Sequence, residues 1–477
     1  MLFNSLEFIL FFVVFFLLYW KVCRNNLKNQ NLLILVGSAL FYGWWNWKFL
    51  FLLSFSILLD FFTGIKMSKA KNHNIKKRWL WLSIVINLGF LGVFKYYNFF
   101  ISSFEELLAY FGLHSNFYLL NIVLPVGISF YTFHGLSYVI DIYKDKISAE
   151  KNLIDYAVFV SFFPLLVAGP IERATHLLPQ VKKQRVFSYT QATDGLKQIL
   201  WGFFKKIVIA DTCAEYVNEI FNQPADSSGI TLAIGAVLFA FQIYGDFSGY
   251  TDIALGTAKL LGFELLKNFS YPYFSRSIAE FWRRWHISLS SWFKDYLYIP
   301  LGGSKNGMIN TIRNTFIIFL VSGFWHGANF TFIVWGFLHA LYIVPSVLLK
   351  TNRNNLDIVA QGRFFPSMKE FVQVIVTFIL VCFAWIFFRA ESTQNAFEYI
   401  YLMFSTSWLD FEGRYIKVIF IIIVFVLIEW KQRQQDIVLK LNIKRNFWRY
   451  LIYYIILICI WFFISKHQKT DFIYFAF

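Results

Sequence analysis

The sequence predicts an all-α membrane protein, a polytopic transmembrane helical bundle of about eleven spans with re-entrant or interfacial helices around a central funnel or tunnel. Three observations predict it. Hydrophobic residues make up 58% of the 477-residue chain and charged residues only 15%. Aromatic residues reach 22%. Long apolar runs recur from end to end, over 6–20, 79–100, 315–349, 371–388, 418–429 and 450–464. Several approach the roughly 20 residues a helix needs to cross hydrocarbon. Unpaired backbone amides are too costly in lipid for an open non-helical span. The chain reads as one polytopic domain over 1–477. N-terminal spans occupy 1–150, a core with re-entrant and interfacial helices and both motif histidines occupies 151–350, and C-terminal spans occupy 351–477.

The first apolar run has no basic region before it and no small-residue cleavage site ahead of Lys21, so it reads as a retained span. Loop 66–78 holds six Lys or Arg residues and is assigned to the cytoplasm. Counting backward puts Met1 outside, 21–28 inside and the aromatic turn "WWNWK" (44–48) outside. Counting forward, 101–116 has no Lys or Arg and falls outside, and 143–151, with three lysines, returns inside. The basic stretch 431–449 is cytoplasmic, so the last span leaves Phe477 outside. This positive-inside bias, with attraction to anionic membrane lipid, accounts for the net charge of +16 without a nucleic-acid partner. Cys23, Cys213, Cys382 and Cys459 lack metal or redox spacing and read as small apolar side chains, so no metal site is expected.

Between 152 and 314 the regular pattern breaks down. In "SFFPLLVAGPIERATHLLPQ" (161–180), prolines flank a short apolar run, as expected of a re-entrant or cavity-lining broken helix in which Glu172 and Arg173 cap or pair. In "FWRRWHISLSSWFKDYLYIPLGGSK" (281–305), a helix would place Trp282, Trp285, Leu289, Trp292, Phe293 and Tyr296 on one apolar stripe. Arg284, Ser291, Lys294 and Asp295 would lie opposite. That is an interfacial amphipathic helix, ended by Pro300 and Gly302-Gly303. A purely structural surface helix explains most of it but leaves His286 unexplained.

The next apolar run has no Asp, Glu, Lys or Arg from 314 to 349, yet "SGFWHGANF" (322–330) puts His326 in its middle. An ionisable group at membrane depth normally faces a cavity or a partner. Gly323 and Gly327 would allow close backbone approach there. In isolation, a structural hydrogen-bonded histidine explains His326 equally well. Two histidines in adjoining segments favour proton chemistry. Acyl transfer to a hydroxyl needs a base for the acceptor proton and a stabiliser for the oxyanion. With no Gly-x-Ser-x-Gly elbow and no Cys–His pair, direct attack on a thioester is the simplest scheme. His326 would be the base, and His286 would orient a substrate or polarise the carbonyl.

Other residues read as supporting. Asp246 and Asp252 are expected to pair with Arg283 or Arg284. Arg283 could instead meet a donor or headgroup phosphate, and Lys305 faintly resembles a phosphate-contacting loop residue. Trp285 belongs to the apolar stripe and Asp295 to its polar side. Trp325 is expected against the reaction chamber, and Asn329, three residues after His326, to orient it. His73, His114, His176, His339 and His467 read as structural or solvent-facing.

These two motifs, together with "LPVGISFYTFHGLSYVIDIY" (124–143), "SFFPLLVAGPIERA" (161–174) and "FQIYGDFSGYTDIALGTAKLLGF" (241–263), resemble the signature of the membrane-bound O-acyltransferase family. The resemblance is to the bacterial branch typified by the alginate O-acetylation protein, and covers most of 1–345. It implies that His326 is the principal catalytic histidine and His286 the second. Two positions depart from the branch's pattern: His134 stands where glutamine is expected, and Gly245 where a larger residue is common. The resemblance further implies an inner-membrane enzyme that takes an acyl group from a cytoplasmic thioester such as acetyl-CoA, with no permanently bound cofactor. The group would pass outward to a cell-surface polysaccharide, alginate-like or peptidoglycan, through a periplasmic or extracellular acyltransferase of SGNH type. Two rival readings are direct acylation of a lipid such as a lysophospholipid, and a flippase that moves a carrier without chemistry.

Overall fold

The computed structural model describes residues 1–113, 117–121, 123–167, 169–435, 439, 445–466 and 472. His114, His467 and Phe477 lie outside the described residues, and with them the reading of those two histidines and of the chain's exit. Among the described residues the chain is helical with no strand. Among the described residues, seven helices are long and apolar enough to cross a membrane, against about eleven expected. They are Phe49–Ser68, His73–Tyr110, Gly229–Leu260, Gly307–His326, Phe330–Leu348, Met368–Arg389 and Asn446–Ile464. The chain divides into two compact units, Met1–Gly195 with Thr257–Leu266, and Leu196–Gly256 with Lys267–Phe477.

The first unit begins with α1 (Leu6–Leu17), which Ser5 caps and a π-helical turn extends to Val22. The Asn26 side chain accepts hydrogen bonds from the first amides of α2 (Leu27–Asn46). Next come α3 (Phe49–Ser68), α4 (His73–Leu91), capped by Asn72, and its continuation α5 (Tyr97–Tyr110). After α6 (Ile128–Tyr143), Asn152 caps α7 (Leu153–Ser161). A polar contact ties α3 to α4, because Ser83 Oγ and Asn87 Nδ2 donate to Asp60 at 2.6 and 2.8 Å. In an apolar bundle such groups must satisfy one another.

The proline-flanked segment is broken as expected. After α7 come the four-residue α8 (Phe163–Leu166), with Pro164 in its first turn, and then α9 (Ala174–Val181). Glu172, fully buried, pairs with His176 Nδ1 at 2.8 Å and accepts from the Leu266 amide at 2.6 Å. The expected pairing within this piece therefore holds for Glu172, and His176 is its partner. His134 anchors the same point, its Nε2 accepting from the Glu172 amide at 3.0 Å. The unit's long stretch ends in the first part of α10 (Tyr189–Phe203), and Thr257–Leu266, which includes the last turn of a later helix, completes it.

In the second unit a π-helical turn, Phe204–Ala210, leads into α11 (Asp211–Asn222) and the 32-residue α12 (Gly229–Leu260). Then follow α13 (Ile278–Arg284), α14 (Ile287–Phe293), α15 (Gly307–His326), α16 (Phe330–Leu348) and α17 (Met368–Arg389), the last opened by a Ser367–Glu370 capping box. The unit closes with α18 (Thr393–Ser405), α19 (Ile416–Gln432) and α20 (Asn446–Ile464). Its core is aromatic, with Trp285, Trp335 and Trp385 all but inaccessible.

Two sequence expectations are corrected here. The apolar run 315–349 is not one span with His326 at its middle. Gly327 turns extended at φ −161°, and Asn329 caps α16, so His326 is the last residue of α15. The two helices form a hairpin packed backbone to backbone. A Cβ on Gly323 would lie 2.2 Å from the Phe332 carbonyl oxygen, and one on Gly336 2.2 Å from that of Phe319. Nor is 281–305 one continuous helix, because it breaks between α13 and α14 at Trp285–His286. The predicted apolar stripe is nonetheless buried on both sides of the break, from Trp282 to Tyr296.

Candidate functional site

The break presents His286. Ser277 caps α13, which runs only to Arg284 before Trp285 turns extended. His286 then adopts φ 44° and ψ 54°, the left-handed region, which costs an L-residue roughly 1–2 kcal/mol. Backbone pairing on both sides holds it there. The Ser270 amide donates to the Arg284 carbonyl at 3.0 Å and the Ile287 amide to the Asn268 carbonyl at 2.9 Å. The ring is fully buried, with Phe247 of α12 at 4.7 Å and Trp325 at 6.1 Å between ring centres. Burial alone pushes its basicity down to a pKa of about 3, so the imidazole is neutral.

Trp325 lies next to both histidines, with its ring centre 4.9 Å from that of His326. Trp335 of α16 and Phe388 of α17 complete an aromatic enclosure around His326 at 5.1 and 5.2 Å. His326 retains 5% of its surface. The structure thus brings His286, Trp325 and His326 together in one unit. A third imidazole, His339, is fully buried against Trp335 at 5.0 Å and accepts from Trp282 Nε1 at 3.2 Å. It supports the wall of this enclosure, in keeping with a structural reading.

The other site residues fall into place differently. Trp285 is core, stacked on Phe281 at 5.5 Å and packed at a tilt against Trp385 at 5.1 Å. Asn329 does not point its amide at His326. Its oxygen caps α16 at the Thr331 amide and its nitrogen donates to the Glu391 carbonyl at 2.7 Å. Asp295 is half-buried in the π-helical turn after α14, and Lys305 is exposed beyond the Gly302–Gly303 turn. Asp246 and Asp252 do not pair with Arg283 or Arg284. Lys206 holds Asp246 and Asp211 at 2.8 and 2.7 Å, and Lys205 holds Asp252. A Cβ on Gly245 would meet the Lys205 carbonyl at 2.9 Å, so the lysine-bearing turn leaves no room there for a larger residue.

The arginines act on a loop instead. Arg283 donates to the carbonyls of Asn352 and Asn355, both at 2.8 Å, and Arg284 to that of Asp357 at 2.9 Å. Buried Glu280 lies between Arg276 and Arg284 at 3.1 and 2.8 Å, and Arg276 also holds the Asp357 carboxylate at 2.9 Å. Both nitrogens of the Arg283 fork are thereby committed to backbone, which favours a supporting role over phosphate capture. Sequence reasoning missed Asn268, whose side chain meets His286, and the two lysines. The doublet "FFKKIVIA" inside an apolar run was the available signal for the lysines. For Asn268 no pattern existed.

The fold and the site define a polytopic helical membrane protein with a pair of buried histidines beside one tryptophan. The chain belongs to the membrane-bound O-acyltransferase family, whose model matches residues 144–389, about half of the chain and all of this site. It is accordingly an acyltransferase. The chain is 40% identical over 407 residues to the "Probable alginate O-acetylase AlgI" of Pseudomonas aeruginosa, covering 85% of this chain and 75% of that protein. It is 35% identical over 427 residues to a peptidoglycan O-acetyltransferase of Helicobacter pylori, covering 83% and 79%. A teichoic acid D-alanyltransferase of Bacillus subtilis is 28% identical over 287 residues, covering 57% and 70%. The resemblance drawn from the motifs, including the alginate O-acetylation branch, therefore holds.

Proposed function

We propose that this chain is an inner-membrane O-acetyltransferase, or transfers a similarly short acyl group, from a cytoplasmic thioester such as acetyl-CoA toward a cell-surface polysaccharide. The acceptor hydroxyl oxygen attacks the thioester carbonyl carbon while His326 takes the hydroxyl proton. The C–O bond forms, the C–S bond breaks, and the proton passes to the departing thiolate. His286 orients a substrate beside it. The polymer is reached through a second acyltransferase outside the membrane, and both termini lie on that outer side. Residues 151–350 carry the chemistry, with spans before and after them.

The observation that supports this reading best is Trp325, in ring contact with both imidazoles in one unit of a family acyltransferase. The similarity to proteins named for alginate, peptidoglycan and teichoic acid favours a surface polymer over a lipid acceptor. The test is His326→Ala in membranes supplied with labelled acetyl-CoA. Transfer should fall by about 10²–10⁴-fold, the usual worth of a general base, with membrane insertion near normal. His286→Ala should fall less. A correctly inserted His326→Ala protein with full transfer would remove His326 as the base. In a deletion strain, intact glycan acetylation with altered lipids would favour the lipid reading instead.

A further inference from the structure

Asn268 is buried to 1% exposure, and its side-chain oxygen is crowded. It accepts from His286 Nδ1 at 3.0 Å, Ser288 Oγ at 2.9 Å and the Ser288 backbone amide at 3.3 Å. The backbone amide settles which way the Asn268 amide faces. An N–H can only donate, so the atom it meets is the oxygen and not the nitrogen. An amide oxygen can only accept, so the proton of the neutral His286 ring sits on Nδ1. Nε2 is then a bare lone pair.

That lone pair has no hydrogen-bond partner among the described residues, although the ring is fully buried. A buried acceptor left unmet is destabilising, because its lost hydration is not replaced. The same residue also carries left-handed backbone strain. Such costs persist where the surrounding structure over-determines them, commonly at functional sites. Here Asn268 supplies the determination twice, through its side chain to Nδ1 and through its backbone carbonyl to the next amide.

We infer that Asn268 is a positioning residue that fixes His286 as the Nδ1–H tautomer, so that His286 meets the substrate as a hydrogen-bond acceptor for an O–H or N–H group. This rests on the acyl-transfer reading for what the substrate is, not for the tautomer. It selects between the two roles open to His286. A bare Nε2 can orient an acceptor hydroxyl or a donor-arm amide, and it cannot polarise a thioester carbonyl.

The test is ¹⁵N-histidine solid-state NMR of the full-length protein in lipid bilayers, with His286→Gln identifying the signal. The wild-type ring should be protonated at Nδ1 and unprotonated at Nε2 at neutral pH. A signal protonated at Nε2 overturns the inference whether or not the protein turns over. Kinetics supply a second arm. Asn268→Leu should lower kcat by one to several orders of magnitude with KM for the thioester little changed, as when a catalytic imidazole loses its tautomer. Asn268→Asp, which keeps an acceptor at Nδ1, should recover much of that loss. Equal losses in both variants would mean a structural role only. A wild-type protein with the expected tautomer but no transfer would overturn the proposed function and leave the tautomer assignment standing.

Discussion

The α15–α16 hairpin makes Gly323→Ala an informative substitution. The new methyl would sit 2.2 Å from the Phe332 carbonyl oxygen and 3.0 Å from its carbon. Ordinary contact begins near 3.4 Å, so the helices would have to part by roughly 1 Å. The obstacle is backbone and cannot rotate away as a side chain could. Overpacking of this kind costs about 1–3 kcal/mol. Because α15 ends three residues later at His326, the displacement is delivered to the imidazole. A misplacement of about 1 Å is worth about 10²-fold in rate. Purified Gly323→Ala protein should therefore lose about 10²-fold in labelled-acetyl transfer and melt at a lower temperature. The control is Gly89→Ala in α4, where nothing lies within 4 Å of the added methyl, and both properties should stay at wild type. Unchanged turnover by Gly323→Ala would refute the claim that this backbone contact sets the position of His326.

Two further outcomes follow from buried charge. Lys206→Met removes the cation that Asp211 and Asp246 share, in a site where none of the three side chains is more than 9% exposed. Removing one partner from a buried pair costs about 3–5 kcal/mol, so thermal unfolding in detergent should show a large loss, and Asp246→Asn a smaller one because Asp211 still holds Lys206. In the first unit, the hydrogen bond to Glu172 raises the His176 pKa above its ordinary 6.5. A raised folded-state value stabilises below 6.5 and is lost as pH rises through the folded value, so melting temperature should decline over that window. With 38% of the His176 side chain exposed, the contribution should not exceed about 1 kcal/mol, and His176→Gln should abolish the pH dependence.

The helical membrane class was legible because apolar length and scarce charge are properties of composition, visible without any contact. His286 and His326 were legible because ionisable groups stand out against an apolar background. Their local conformations were not. The stripe from Trp282 to Tyr296 keeps helical spacing straight through His286, so no residue type announces the break. Pairing with 268–270, distant in sequence, makes that break. Likewise Gly327, Ala328 and Asn329 are small and uncharged, and they pass for the interior of a long span until the cap at Asn329 is seen. Partner choice was the least legible part. Arg283 and Arg284 lie close in sequence to the motif, but Asp246 is neutralised by Lys206, from an apolar run that reads as core.

The arginine arrangement at and just before α13 also bears on how this region should be interrogated. Arg276, Arg283 and Arg284 grip one short stretch, 352–357, with Arg276 and Arg284 meeting on the same Asp357 carbonyl oxygen. Such a fastening is redundant: with any one removed, two remain, and their effects will not add. One-at-a-time mutagenesis would understate what each arginine contributes to holding this stretch. Their collective worth emerges only when they are removed together.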